Sequence, residues 1–257
     1  MKIAKAHNEK FHCCNMRILS VLLLLILASV RMAAETFVVC VGIGSYADPK
    51  VENLMKTEKD AKAIAEFFKK GTPNVITITG KYATKQQILK SIRSQFGRAG
   101  KGDKIVFYFS GHGYPGGFCP YEMTKIDEGL TYKEVLDVMN TSSASDKFIF
   151  ADACNSGAIR QANNAERPDM GNVLMFLSSR GNEYSIESPF LANGYFTKNL
   201  LRGLGGAADS DKDRQITASE LFLYVSNEVQ IQTQGKQHPV MWGNFPDNLV
   251  IVSYSKK

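Results

Sequence analysis

From residue 35 onward, short and continuously apolar runs alternate with segments of helical periodicity, and this alternation constrains the fold more than any other feature. Strands that are apolar along their whole length are buried on both faces, so helices must cover each side of a mainly parallel sheet. The pattern therefore predicts an α/β fold, and we expect its last strand to close the sheet. The predicted strands are 37–43, 75–79, 104–109, 147–151, 172–177 and 249–254. The predicted helices are 58–70, 85–96 after an N-cap at Thr84, 131–139, 196–204 and 218–229.

The first 34 residues predict an exported chain. Five basic residues and one acidic residue flank Ile18–Val30, an apolar run of thirteen residues. Such a run is short for a bilayer span of roughly twenty residues but suits a secretory signal, with Ala33 and Ala34 at the cleavage site. An uncleaved membrane anchor is the alternative. We expect 1–34 to be a signal peptide and 35–257, which has neither repeat nor linker, to be one periplasmic or secreted domain without a stable membrane span.

Composition excludes several classes of protein. Apolar residues make up 44% and charged residues 22% of the chain, which rules out collagen-like and wholly disordered structure. Four of the six net positive charges lie in residues 1–34. Nucleic-acid binding needs a concentrated basic face, so we expect no nucleic-acid partner for the remaining domain.

Cysteine usage raises a functional question. After removal of residues 1–34, the chain keeps Cys40, Cys119 and Cys154. Three widely spaced cysteines are not a disulfide framework, and an odd thiol in an exported protein calls for another role. Cys40 lies inside an apolar strand, and Cys119 precedes Pro120 in a loop. Cys154 lies in the motif that follows the predicted strand 147–151.

Two predicted strands end in similar glycine-containing motifs. One passes into SGHG around His112, and the next passes into DACNSG around Cys154. Ligands of open parallel sheets bind at the carboxyl ends of strands, so neighbouring strands would bring this imidazole and thiol together. The other histidine of the domain, His238, precedes Pro239 in a loop with no predicted strand to position it. We therefore predict His112 and Cys154 as the catalytic pair.

This pair suits peptide-bond cleavage. A thiol with a pKa near 8.5 is mostly protonated at neutral pH, so a positioned histidine helps to form the reactive thiolate and later protonates the leaving amine. The sharp turns leave the backbone N–H groups of Gly113 and Cys154 to stabilise the oxyanion. No separate third member of a triad is evident. The alternative for each residue alone is a buried small thiol and a turn histidine.

The two motifs together resemble the caspase-like cysteine peptidases, the group that includes metacaspases, paracaspases and bacterial caspase-family proteins. The resemblance extends from about Phe37 to Leu223 and includes the segments GIGSY at 42–46 and GYFT at 194–197. It implies a caspase-hemoglobinase-like αβα sandwich with a six-stranded sheet. It also implies His112 as general base and acid and Cys154 as nucleophile. Asn155 departs from the histidine that many members have, at a position that is not catalytic.

Acidic residues predict a preference for cationic substrates. Asp152 lies two residues before Cys154, and Asp60 opens the first helix, where acids are also common without a substrate role. The resemblance implies that these two acids hold Arg or Lys, as in metacaspase-like enzymes, and Glu122 is a candidate third acid. Ser178 and Ser179 resemble the family's substrate-flanking segment. Arg160 and Arg167, in the polar stretch after Cys154, are candidate self-cleavage sites of the kind found in family members.

A second motif has the spacing of a calcium loop. Oxygen ligands stand at positions 1, 3, 5, 7 and 12 of the segment 209–220, and the apolar residue of position 8 is Ile216. The candidate ligands are Asp209, Asp211, Asp213, Gln215 and Glu220. Arg214 stands where glycine normally makes the sharp turn. The alternative is an acidic helix-capping turn. The chemistry itself requires no cofactor, and the acidic cluster by which some metacaspases bind activating calcium is not visible after His112.

These observations predict an exported cysteine endopeptidase that cleaves peptide or protein substrates after Arg or Lys. The first alternative is a catalytically silent binding or scaffold protein on the same fold, because two residue types do not prove a productive geometry. The second is a nucleotide-binding domain, on the strength of Gly42 and Gly44 after the first strand. That glycine pair lacks the third glycine and the helix signal of a phosphate-binding loop.

Overall fold

A six-stranded sheet forms the centre of the structure, a computed structural model that describes residues 34–153, 169–180 and 193–254. The strands are β1 Thr36–Gly42, β2 Val75–Thr79, β3 Lys104–Ser110, β4 Gly113–Tyr114, β5 Gly117–Phe118, β6 Leu130–Thr131, β7 Asp146–Asp152, β8 Val173–Leu177, β9 Gln215–Thr217, β10 Val240–Trp242 and β11 Val250–Ser253. The helices are α1 Thr57–Lys69, α2 Lys85–Phe96, α3 Tyr132–Thr141, α4 Tyr195–Arg202 and α5 Ala218–Gln232.

The strand order of the central sheet is β10-β8-β7-β3-β1-β2, with β10 antiparallel and the others parallel. Alternate side chains of each strand pack on opposite faces. Val39 and Val41 of β1 pack with the apolar residues of α2 and α3. Val38 and Cys40 pack with those of α1, α4 and α5. The predicted αβα sandwich with a mainly parallel six-stranded sheet is confirmed.

Local signals place the helices close to where the sequence predicts them. Thr84 caps α2, as predicted, because its side chain accepts a hydrogen bond from the Gln87 N–H at 3.2 Å. Thr131 caps α3 in the same way, and Glu134 completes a reciprocal capping box. These caps fix where each helix leaves the carboxyl edge of the sheet. Among the residues that the structure describes, no helix is long and apolar enough to cross a membrane.

The prediction that the last apolar run closes the sheet is wrong. β11 pairs instead with β9 in a separate two-stranded sheet, and β10 takes the edge of the central sheet beside β8. β10 has only three half-buried residues and follows Pro239, so it carries too weak a pattern to be read from sequence. His238 consequently does have a strand next to it, contrary to the sequence prediction. A further small sheet, β4-β5-β6, forms where the chain leaves β3.

Candidate active site

The two strands that lead to His112 and Cys154 are neighbours, as the sequence prediction required. β3 and β7 pair in parallel from Lys104 opposite Asp146 to Ser110 opposite Asp152. His112 and Cys154 each stand two residues beyond this last registered pair. The Gly111 N–H donates to the Asp152 carbonyl at 3.2 Å, which continues the contact past the strand end. Cys154 itself lies outside the described residues.

The loop after β1 orients the backbone of His112. The hydroxyl of Tyr46 accepts a hydrogen bond from the His112 N–H at 2.7 Å and donates to the Ile43 carbonyl at 3.4 Å. The two rings pack with their centroids 5.1 Å apart. Tyr46 is buried, whereas His112 keeps a partly exposed surface. A buried tyrosine therefore fixes the turn and leaves the imidazole accessible.

A backbone carbonyl orients the imidazole ring itself. His112 Nε2 lies 2.7 Å from the carbonyl oxygen of Glu52. A carbonyl only accepts hydrogen bonds, so Nε2 carries the hydrogen, and Nδ1 is the basic nitrogen of the neutral ring. No third member of a triad is evident in the sequence, because a backbone carbonyl has no residue-type signature. The Glu52 carbonyl holds one ring nitrogen and so restricts the orientation of the imidazole.

The hairpin after His112 leaves the N–H of Gly113 directed away from its partner strand. The Cys119 N–H donates to the His112 carbonyl at 3.0 Å, and Gly113 lies opposite Phe118 in the next register position. Hydrogen-bonded and non-hydrogen-bonded pairs alternate in an antiparallel ladder, so the Gly113 N–H points outward from the β4–β5 pair. The predicted oxyanion role of Gly113 stays a prediction. The second predicted donor, the N–H of Cys154, lies outside the described residues.

Two buried serines hold the residue before Cys154. The Ser178 hydroxyl accepts from the Ala153 N–H and donates to its carbonyl, both at 3.1 Å, and the Ser179 hydroxyl donates to the same carbonyl at 3.4 Å. Gln237 in turn donates to the Ser178 carbonyl at 2.9 Å. Both serine side chains are buried and engaged with backbone. Their hydroxyls thus position the chain at Ala153, and their predicted contact with substrate stays a prediction.

Two buried carboxylates meet at the start of α4. Asp60, in the first turn of α1, accepts hydrogen bonds from the Asn193 side-chain amide at 2.7 Å and the Gly194 N–H at 3.2 Å. Asp152, at the end of β7, approaches the same glycine. A Cβ on Gly194 would lie 2.8 Å from Asp152 Oδ2 and 3.4 Å from Asp60 Oδ2. With exposures of 1% for Asp60 and 6% for Asp152, the two acids form one shielded cluster at the carboxyl edge of the sheet.

The third candidate acid is engaged elsewhere. Glu122 is exposed, and its carboxylate accepts a hydrogen bond from the Lys85 N–H at 2.9 Å, at the first residue of α2. A carboxylate in this position satisfies one of the free N–H groups of a helix start. The structure therefore brings Asp60 and Asp152 together and gives Glu122 a helix-capping contact. The candidate processing sites Arg160 and Arg167 lie outside the described residues.

The glycines that suggested a nucleotide site are explained by packing. A Cβ on Gly42 would lie 2.5 Å from the Thr57 carbonyl, and one on Gly44 would lie 2.8 Å from the Leu54 carbonyl. Both positions need glycine because the loop and the start of α1 press against the end of β1. Close packing of α1 accounts for the pair without a phosphate.

Three of the five predicted calcium ligands come together. Asp209, Asp211 and Asp213 each offer a carboxylate oxygen within 4.8 Å of the others. Asp209 Oδ2 accepts from the Arg214 N–H at 3.1 Å, whereas Asp209 Oδ1 is buried without a hydrogen-bond partner among the described residues. Arg214 adopts the left-handed turn that glycine usually makes, with φ of 70°. The loop therefore makes the sharp turn with Arg214 at the position where calcium loops normally have glycine.

Glu220 and Gln215 have other contacts in this loop. One Glu220 oxygen accepts from the N–H and hydroxyl of Ser210, and the other accepts from those of Thr217 at the start of α5. Burial disfavours ionisation of Glu220, but these hydrogen bonds outweigh it and lower its pKa to about 2. Gln215 donates to Asp213 through both its N–H and its side-chain amide. In the structure Glu220 therefore acts as a helix-capping residue, as in the alternative prediction. The candidate calcium ligands that lie together are the three aspartates.

Calcium binding at this loop stays a prediction, which titration calorimetry tests. Because carboxylate oxygens are the ligands calcium prefers, the intact protein is expected to bind the ion with a Kd of roughly 10⁻⁵ to 10⁻³ M and to gain thermal stability. The double variant Asp211→Asn, Asp213→Asn should lose both effects, while Asp137→Asn on α3 should keep them. No heat from the intact protein at millimolar calcium would dismiss the site.

Comparisons with known proteins agree with this architecture. A family model described as the caspase domain matches residues 36–250. A probable protease of a Desulfuromonadales bacterium is 24% identical over 176 residues, which cover 57% of this chain and 22% of that protein. The chain therefore spans about a fifth of the length of this curated relative.

Two solved structures share the fold at low identity. A protein of Geobacter sulfurreducens has a TM-score of 0.61 with 18% identity, over 83% of this chain and 95% of its own. Pro-sf-caspase-1 has a TM-score of 0.59 with 15% identity, over 87% of this chain and 97% of its own. At these identities the likeness concerns the fold alone.

Proposed function

This chain belongs to the caspase-domain family of peptidases, and we propose that it cleaves peptide bonds after Arg or Lys through a dyad of Cys154 and His112. The observation that carries the proposal is the registered pairing of β3 with β7. In the sequence, His112 and Cys154 each follow the last registered pair by two residues. The accessible, oriented imidazole of His112 supports it further. Residues 1–34 would direct export, and a silent scaffold on this fold is the alternative.

The proposed reaction follows acyl transfer by a thiol. Nδ1 of His112 takes the proton from the Cys154 thiol, and the thiolate attacks the scissile carbonyl carbon. The N–H groups of Gly113 and Cys154 stabilise the oxyanion that forms. When the carbon–nitrogen bond breaks, the imidazolium returns its proton to the leaving amine. Water, deprotonated by the same nitrogen, then hydrolyses the thioester and releases the carboxylic acid and the free thiol.

The substrate preference rests on Asp60 and Asp152. Two buried carboxylates, each held by hydrogen bonds, lie within 3.4 Å of one point beside Gly194. Two like charges this close to each other favour a cation between them. A guanidinium supplies a planar set of donors for two oxygens, and an ammonium supplies a compact charge. Asp152 is the last residue of β7 and stands two residues before the proposed nucleophile in the sequence. Asp60, in the first turn of α1, approaches the same glycine as Asp152.

Reporter peptides that differ only in the residue before the reporter test this preference. We expect turnover with Arg and Lys and at least about a hundredfold lower kcat/KM with Asp, because two buried carboxylates would repel a third. The intact full-length protein should be assayed with and without calcium, so that an ion requirement is not mistaken for inactivity. Turnover only after Asp would contradict the proposal.

A further inference from the structure

We propose that Thr197, supported by Tyr108, is a positioning residue that fixes the Asp152 carboxylate for recognition of a cationic substrate side chain. The inference rests on the substrate role proposed for Asp152. It adds two residues that touch neither the substrate nor the reacting atoms. Both lie on regular elements, since Tyr108 belongs to β3 and Thr197 to the first turn of α4.

Thr197 makes two contacts with a single oxygen of Asp152. Its hydroxyl donates to Asp152 Oδ2 at 2.8 Å, and its backbone N–H donates to the same oxygen at 3.3 Å. Thr197 has no exposed surface, so water does not compete for these bonds. Two donors on one oxygen, from one residue, restrict the rotation of the carboxylate about its Cβ–Cγ bond.

The direction of the next hydrogen bond follows from counting protons. Tyr108 Oη lies 2.6 Å from Thr197 Oγ1. A hydroxyl has one hydrogen, and that of Thr197 is directed at Asp152, so Tyr108 is the donor in this pair. The result is a one-way chain in which Tyr108 donates to Thr197 and Thr197 donates to Asp152.

Tyr108 is suited to remain a donor. Its side chain is fully buried. Burial, together with the negative charges of Asp60 and Asp152, raises its pKa well above the usual value of a tyrosine, although hydrogen bonding with Thr197 and Ser110 acts in the opposite direction. The phenol therefore stays protonated at neutral pH. The hydrogen bonds therefore keep the same direction, from Tyr108 to Thr197 and from Thr197 to Asp152.

These hydrogen bonds affect the selection of a cationic substrate because they preorganise the Asp152 carboxylate. A carboxylate that is already held in its binding orientation loses less conformational entropy when a cation arrives. Loss of the Thr197 hydroxyl leaves the Asp152 charge and the longer hydrogen bond from the Thr197 N–H in place. It removes the shorter, buried hydrogen bond, so the carboxylate is held less firmly. The expected effect therefore falls on discrimination by charge, more than on the chemical step at Cys154.

The experiment compares two peptides, one with Arg before the scissile bond and one with its neutral isostere citrulline. In the full chain, Thr197→Val removes the hydroxyl at constant shape, and Thr197→Ser is the matched control that keeps it. We expect the ratio of kcat/KM for Arg over citrulline to fall about tenfold in Thr197→Val and to recover in Thr197→Ser. Tyr108→Phe should lower the same ratio by about threefold, since it acts one bond further away.

The outcomes separate the two levels of the proposal. An unchanged ratio in a folded Thr197→Val variant, or in Tyr108→Phe if the valine variant fails to fold, overturns the positioning role alone. An intact enzyme that treats Arg and citrulline alike overturns the substrate role of Asp152 and this inference together. Thermal unfolding of each variant shows whether a lower overall rate reflects lost stability. Lost stability would lower kcat/KM equally for the Arg and the citrulline peptide.

Discussion

Replacing Cys154 by alanine is expected to lower kcat/KM for an Arg reporter peptide by about 10⁴-fold or more, because the reaction loses its nucleophile. His112→Ala should cause a loss of similar size. The double variant should be little worse than either single one, since the two residues act in the same step. Initial rates on the purified full-length chain measure all three.

The control for this prediction is Cys119→Ala. Cys119 is partly buried against the core and lies in the hairpin after His112, so its loss should leave turnover close to that of the intact protein. Full activity of Cys154→Ala would contradict the dyad. An intact protein that binds peptides without cleaving them would instead favour the scaffold alternative.

Replacing Asp152 by asparagine is expected to lower kcat/KM for the Arg peptide by about 10²-fold or more. The substitution keeps the size of the side chain but removes one partner of a desolvated charge pair. Turnover of a peptide with a neutral residue before the scissile bond should change far less. The same pair of assays on Asp60→Asn tests whether the two acids share the cation.

Asp137→Asn is the matched control, because Asp137 is an exposed acid on α3 that pairs with Lys133. This variant should leave the turnover of both peptides unchanged, because an exposed ion pair contributes little to stability. Equal losses on charged and neutral peptides in Asp152→Asn would mean that this carboxylate supports folding and not specificity. Unchanged turnover of the Arg peptide would remove Asp152 from the account of the substrate preference.

The central sheet could be predicted because its strands are apolar on both faces, which leaves few alternative architectures. β2 begins and ends where the sequence predicts, and the strand ends that carry the two motifs follow from the same pattern. The closing strand is predicted wrongly because β10 is short and half-buried, whereas β11 has a stronger apolar pattern but pairs with β9 in a separate sheet. A strong apolar pattern in the sequence therefore identifies a strand but does not identify the strand with which it pairs.

The candidate site was predictable only where residue type carries the chemistry. The pairing of β3 with β7 follows from topology, and Asp60 and Asp152 were predicted from their place at strand and helix ends. The Glu52 carbonyl has no side-chain signature. The chain from Tyr108 through Thr197 to Asp152 joins residues far apart in sequence, so only the tertiary structure reveals it. The resemblance of the segment GYFT at 194–197 to the caspase-like peptidases is the sequence signal for Thr197.

The central claim is that the thiol of Cys154 and the imidazole of His112 act on each other at one edge of the sheet. An arginyl peptide chloromethyl ketone tests it directly, because a thiolate displaces chloride and leaves a stable thioether that mass spectrometry can locate. We expect a single label on Cys154, formed at least about a hundredfold more slowly in His112→Ala. A label on Cys40 or Cys119, or a labelling rate that does not change when His112 is removed, would contradict the claim.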